Sequence, residues 1–176
     1  MQKPIIETKR LILRKLQKGD AFEIFNNWAN DDEVTKYVTW NTHKDISVTE
    51  QILDYWLKEY DNPKTIRYGI TIKETGELVG SIDVVHYIDN IKPEVGYCLS
   101  RKCWNKGYMT EVCNAFVDYL FSLGYQEVVI EADVNNIASN KVIQKCGFIF
   151  THQETREISS FKPGMVTVNW YKKTLR

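Results

Sequence analysis

Two short stretches of this chain carry residues whose types and spacing suit chemistry. In the first, Trp104, Asn105, Lys106, Gly107, Tyr108, Met109 and Thr110 stand between a strand-like run, 94–99, and a long apolar-periodic run. A turn of small, flexible and hydroxylated residues opening a helix aims successive backbone N–H groups at one point. The free donors and the positive end of the helix dipole there suit a phosphate or pyrophosphate. Turns with one Gly and one Lys also occur where nothing binds, so the turn alone leaves an anion site and an ordinary connection both open. In the second stretch Asn136 stands where a helix N-cap is expected. Ser139 precedes Val142, Ile143 and Cys146 by helical spacings, which puts its hydroxyl on the inward, apolar side. A hydroxyl so placed needs a partner, either the preceding turn of its own helix or a group facing it. Carboxylates able to take a proton nearby are Glu94 and Asp83, on strand-like runs, and Asp133 after the next such run. Spacing singles out none of them from solvated or structural carboxylates. His43, His86 and His152 are isolated, and nothing around them has metal-ligand spacing.

The elements that must position these residues can be read from periodicity. The first helix of the site follows from Val112, Ala115, Phe116, Tyr119, Leu120 and Leu123, three and four apart, with Gly124 as its stop. A β-rich run at 127–132 and a helix at 136–146, ended by Gly147, come next. Strand, helix, strand in that order predicts a parallel pair within an otherwise antiparallel sheet. Upstream, 5–16 reads as a first strand, followed by a helix with Asp20 and Glu23 as capping box and Ala21, Ile24, Phe25 and Trp28 as apolar face. The acidic turn Asn30, Asp31, Asp32, Glu33 either starts the next helical turn or attracts a cation. A second helix spans 47–60, with Ser47 and Glu50 as capping box, and breaks at Asn62 and Pro63. Arg67–Ile72 and 78–87 form a hairpin over a Gly-containing loop, and 148–157 and 166–173 close the chain around a turn at Lys162, Pro163 and Gly164. The fold class is α+β.

Size and composition exclude several classes of function. At 176 residues the chain is read as one domain, 1–176, long enough for a core without covalent staples. With 23 basic and 23 acidic residues it has no general pull toward nucleic acid or a membrane surface. Without an apolar N-terminal run or any 18-residue apolar segment, a cytoplasmic location is expected. Cys98, Cys103, Cys113 and Cys146 lack metal spacing and read as free, mostly buried thiols.

Segments 97–109 and 136–148 together resemble the two acyl-CoA-binding motifs of the GNAT superfamily of N-acetyltransferases, in the branch of the RimJ and RimL enzymes that acetylate ribosomal-protein N-termini. The opening Thr8, Lys9, Arg10, Leu11, Ile12, Leu13, Arg14, with Asp20, is similar to that branch's start, so the likeness covers nearly the whole chain. Two positions depart from its turn pattern, Trp-Gly-Lys-Gly-Tyr-Ala. Asn105 replaces the first Gly and tolerates left-handed dihedrals. Met109 replaces the Ala, and is expected to crowd the pyrophosphate.

The resemblance implies a mixed, mostly antiparallel sheet whose central parallel strands splay beside the cofactor, flanked by helices on both faces. It implies acetyl-CoA as cofactor, an amine acceptor as the other partner and direct attack in a ternary complex. It implies that backbone groups of Tyr97, Cys98 and Leu99 pair with the pantetheine arm, that Trp104 through Thr110 and Asn136 bind the cofactor, and that Ser139 gives a proton to the departing thiolate. Glu94 is carried as the base. A protein N-terminal α-amine is the first acceptor; a polyamine or aminoglycoside-like amine, or a CoA-binding module without turnover, are the rivals. A homodimer is left open, and no metal, nucleic acid or membrane partner is expected.

Overall fold

The computed structural model describes residues 4–158 and 162–175. The first three residues, on which the reading of the N-terminus partly rests, lie outside them. The strands are β1 (Ile6–Glu7), β2 (Leu11–Arg14), β3 (Arg67–Ile72), β4 (Leu78–Ile88), β5 (Lys92–Leu99), β6 (Glu127–Asp133), β7 (Ile149–Ile158) and β8 (Gly164–Thr174). They form one sheet in the order β1-β2-β3-β4-β5-β6-β8-β7. Every neighbouring pair is antiparallel except β5 and β6, which the intervening helix α4 (Tyr108–Ser122) makes parallel. The mixed sheet with one central parallel pair is the arrangement read from the order of elements.

Helix α4 packs on one face of the sheet with α5 (Ile137–Lys145). Its stripe of Met109, Val112, Cys113, Phe116, Val117 and Leu120 is buried against Tyr68, Val95, Val128 and Ile130. Each large apolar side chain so buried stabilises the fold by about 1.5–3 kcal/mol relative to exposure. The other face is covered by α1 (Ala21–Ile24), which continues as a π-turn through Phe25–Ala29, by α2 (Asp32–Thr35), and by α3 (Ile46–Glu59). There Ala21, Ile24, Trp28 and Leu53 close over Leu16 and Leu78. Among the described residues no helix is long and apolar enough to cross a membrane. The four cysteines are unpaired and three are buried.

Several local expectations are corrected. The first strand folds back on itself, because the Thr8 N–H bonds to the Leu11 carbonyl at 2.9 Å and turns the run into the β1–β2 hairpin. Asp20 does not cap α1; its carboxylate takes a bidentate grip from Arg14, both contacts 2.9 Å, and the Gln17 N–H at 2.7 Å. Glu23 accepts from the Leu78 N–H at 3.1 Å, fastening α1 to the sheet. The cap of α3 is Asp45, which accepts from the Ser47 N–H, a role open to the Asx residue two positions earlier. Leu123 lies past the helix end and half-exposed, and Phe25 is only partly buried because the π-turn rotates it off the apolar stripe. Asp31 caps α2 and pairs with Arg101, and Asp32 pairs with Lys44. These pairs favour the helix-start reading of the acidic turn, since little free negative charge remains there for an approaching cation.

Candidate active site

The turn before α4 has the backbone an anion cradle requires. Asn105 adopts φ 59° and Gly107 φ 75°, so the departure at Asn105 preserves a left-handed turn. The first N–H of this helix returned to a carbonyl is that of Glu111, to Gly107 at 3.1 Å. The N–H groups of Asn105 through Thr110 have no acceptor among the described residues, as the opening of a helix dictates. Met109 is corrected: its side chain is 5% exposed and points into the core, because it precedes Val112, Cys113 and Phe116 by helical spacings. It leaves the cradle clear. Trp104 braces the turn, its indole N–H donating to the Leu99 carbonyl at 2.8 Å.

The cradle is held from outside by the β1–β2 hairpin. Arg10 donates from Nε to Glu111 at 2.8 Å and from Nη1 to the Lys106 carbonyl at 2.8 Å, and lies 4.5 Å over the Tyr108 ring. Glu111 also accepts from the Thr8 hydroxyl at 2.6 Å and the Arg10 N–H at 2.7 Å. These bonds hold the Glu111 carboxyl below its ordinary range, though its burial opposes them.

β5 and β6 pair at Glu94 and Val129 and part beyond that point. On the other side β5 stays paired with β4 along its length, across a bulge at Val85. The Ser100 N–H bonds to the Val79 carbonyl at 2.7 Å, which fixes the alternation. The backbone groups of Cys98 therefore face β4, and those of Tyr97 and Leu99 face the parted edge. Of the three residues read as pairing with a pantetheine arm, Tyr97 and Leu99 keep that possibility and Cys98 does not.

Across the gap, the Tyr97 hydroxyl meets Ser139 Oγ at 2.7 Å. The Ser139 hydroxyl is turned inward to the sheet and not back to its own helix. Burial pushes the Tyr97 phenol up, partly offset by the Ser139 bond. Asn136 caps α5, its Oδ1 accepting from the Ser139 N–H at 3.1 Å. Asn140, which sequence reasoning passed over, fixes this helix start. Its Nδ2 donates to the carbonyls of Asp133 and Asn136, and its Oδ1 accepts from Asn169 at 2.9 Å and the Tyr171 hydroxyl at 2.7 Å. The readable signal was its place three before buried Ile143.

On the opposite face of the fork lie the carboxylates. Val95, Tyr97 and Leu99 face α4, so Glu94, Gly96 and Cys98 face the other way. Burial, reinforced by the charge of Glu131 and partly offset by Arg156, pushes the Glu94 carboxyl up to about 7. Arg156 bonds Glu131 and, at 3.1 Å, Glu154, which also accepts from the Trp170 indole at 2.8 Å. Asp83 is committed elsewhere, to Arg67 at 3.0 Å, which also holds Glu59. Burial nevertheless pushes the Asp83 carboxyl up, against the pull of Arg67. Asp133 accepts from the Asn135 N–H at 2.8 Å in a local turn. The Cys98 thiol is pushed up to about 12 by burial and by Asp83, leaving it protonated and a poor nucleophile. Of the three candidate bases, Glu94 lies beside the fork with its carboxyl pushed up to about 7, whereas Asp83 is held by Arg67 and Asp133 by its local turn.

An N–H cradle at a helix start, a parted strand edge and an inward hydroxyl together fit an elongated ligand with a pyrophosphate at one end and amides along its arm. The chain matches the Acetyltransferase (GNAT) domain family over residues 10–149. It is 34% identical over 148 residues to the uncharacterized N-acetyltransferase YoaA of Bacillus subtilis (strain 168), covering 82% of each chain. Its fold is similar to that of RimL, the ribosomal L7/L12 α-N-protein acetyltransferase, at TM-score 0.84 and 18% identity, over 98% of this chain and 94% of that one. It is also similar to the microcin C7 self-immunity acetyltransferase MccE in complex with acetyl-CoA and AMP, at TM-score 0.82 and 20% identity, over 95% and 93%. The chain with this cradle and fork belongs to the GNAT family of N-acetyltransferases.

Proposed function

We propose that this enzyme acetylates a protein N-terminal α-amine of the ribosomal type, using acetyl-CoA in a ternary complex with direct attack. When bound, acetyl-CoA supplies an activated acetyl thioester. The N–H groups of Asn105 through Thr110 would hold its pyrophosphate, and those of Tyr97 and Leu99 would be available to its pantetheine amides and thioester carbonyl oxygen. Glu94 takes one proton from the acceptor ammonium, freeing the lone pair that bonds to the acetyl carbon. The nitrogen loses its second proton to water in the groove. As the C–S bond breaks, Ser139 gives a proton to the sulfur and regains one through Tyr97 from solvent, and Glu94 returns to solvent the proton it took. The products are the acetylated amine, the free thiol and one proton released to solvent.

The observation that carries this reading is Glu94 at about 7, on the face of the fork opposite the Tyr97–Ser139 pair. A base of that strength suits an α-amine, whose reference pKa near 8 leaves roughly a tenth neutral at pH 7. A polyamine or lysine amine near 10.4 leaves only about one molecule in two thousand neutral. RimL, whose fold this chain shares, is named for α-N acetylation of a ribosomal protein. Product mass spectrometry tests the reading, with acetyl-CoA and a panel of peptides beginning with Ser, Ala or Met, spermidine and an aminoglycoside. Acetyl groups on peptide α-amines support it. Acetylation confined to spermidine or the aminoglycoside assigns a small-molecule acceptor, and acetyl-CoA binding without turnover on any amine assigns a binding module.

A further inference from the structure

Glu94 and Glu131 lie on one face of the sheet, one on each arm of the fork. The final paired position is Glu94 with Val129, and Glu131 is the next residue of β6 on the same face, just past the point where the strands part. One oxygen of Glu131 is spent on Arg156, reached from β7. The other, Oε2, is buried and has no hydrogen-bond partner among the described residues. A buried carboxylate oxygen without a donor costs on the order of 1–3 kcal/mol, and here it stands on the Glu94 face of the sheet, where the two strands part. Arg156 occupies only one of the two Glu131 oxygens.

We propose that Glu131 is the residue that docks the acceptor, its Oε2 receiving the substrate's ammonium group at the mouth of the fork and presenting it to Glu94. This rests on the reading of Glu94 as base. The step moves one proton from nitrogen to a Glu94 oxygen and makes or breaks no bond to carbon. It selects a cationic amine with a slim approach, as a peptide terminus has, because the pair Arg156 and Glu154 with Trp170 walls the β7–β8 side.

Other titratable groups border Glu94. Across β4, His86 is its direct partner, and Asp83 sits two pairs on, opposite Gly96 and held by Arg67. On its own strand Lys92 is engaged by Glu127, which also holds Lys172 of β8. Because His86 stands directly across from Glu94, the experiment is run in a His86→Gln background.

In that background, kcat and the amine KM are measured from pH 5.5 to 9 at saturating acetyl-CoA, with a Ser-initiated peptide, for Glu131→Gln and Arg156→Gln. Glu131→Gln should raise the amine KM about 10- to 100-fold, as losing one partner of a desolvated charge pair does. It should leave the acetyl-CoA dissociation constant within about twofold and move the acid limb of kcat to lower pH, since a negative neighbour of Glu94 is gone. Arg156→Gln, which unmasks Glu131, should move the same limb to higher pH without raising the amine KM. A structural role gives no such opposed pair of shifts. If Glu131→Gln fails to fold in a thermal melt, the Arg156→Gln limb decides alone: an upward move supports the docking role and an unmoved or downward limb overturns it. An unchanged amine KM in folded Glu131→Gln also overturns it. Glu94→Gln separates the two layers, since an acid limb that survives there refutes Glu94 as base, whereas its loss with a limb insensitive to Glu131 refutes only the docking role.

Discussion

Replacing Glu94 with Gln should make the enzyme more stable at alkaline pH while disabling it. The carboxyl moves from an ordinary 4.5 to about 7 on folding. At about 1.4 kcal/mol per tenfold change in proton affinity, ionising it in the native state costs roughly 3 kcal/mol more than in the unfolded chain. Between about 4.5 and 7 the native state therefore binds more protons than the unfolded state. The stability that the protonated carboxyl contributes is full below the lower value and lost as pH rises through the upper one. Gln keeps the shape and carries no charge, so the wild type and the variant should melt nearly together at pH 4.5. At pH 8 the variant should be about 2–3 kcal/mol more stable, roughly 5–10 °C in Tm for a chain of this length. Its kcat at pH 7 should fall by about 10²-fold or more. Thermal melts at half-unit steps from pH 4.5 to 8, beside steady-state rates, provide the assay. A Tm offset constant across that range would refute the reasoning, because it would mean that the carboxyl is not neutral in the fold at acid pH.

Gly107→Val should weaken acetyl-CoA by about tenfold or more in titration calorimetry. Position 107 holds φ 75°, and an added side chain would stand 3.5 Å from the Arg10 guanidinium, so unchanged affinity would remove the turn from the site. Met109→Ala should cost about 2–4 kcal/mol in urea unfolding and leave acetyl-CoA affinity unchanged, since the side chain is core and not cradle. Asn140→Leu should lower stability by about 2–4 kcal/mol by melt, because the Asn169 amide, the Tyr171 hydroxyl and the Asp133 and Asn136 carbonyls all lose a partner. Ser139→Ala should lower kcat by about 10²–10⁴ with the acetyl-CoA dissociation constant nearly unchanged, and a wild-type kcat would end its role as proton donor.

The central helices were legible because local periodicity decides them. The stripe of α4 and the cap at Asn136 follow from spacings within one element, and the strand-helix-strand order alone gave the parallel pair. The caps at the N-terminal helices were misread for a physical reason: Asp20 and Glu23 have partners on other elements, Arg14 and the Leu78 N–H, which outcompete their own helix. Met109 was misjudged by comparing it with a small residue in a motif, when its phase with Val112 and Phe116 already placed it inside. The inward direction of the Ser139 hydroxyl was legible because helical phase betrays it. Glu94 could not be ranked above Asp83 from sequence, because what separates them is tertiary: Arg67 claims Asp83, while Glu94 is left facing Glu131.

The remaining dependence runs to the sheet edges. The residues proposed to carry the chemistry lie on β5, β6, α4 and α5, yet each half of the candidate site is fixed by a hairpin at the periphery. On the cofactor side, Arg10 at the β1–β2 turn grips Glu111 and the Lys106 carbonyl, so the cradle cannot open without breaking both contacts. On the proposed acceptor side, Arg156 of β7 holds Glu131, whose charge adds to the burial that pushes the Glu94 carboxyl up. A sheet that parts its central strands loses backbone pairing where it most needs a fixed geometry. Side chains from the two outer hairpins replace that constraint, one at each mouth of the gap. The parted edge is thereby left open without becoming loose, which is the condition that the proposed positioning of a thioester beside Tyr97, Ser139 and Glu94 requires.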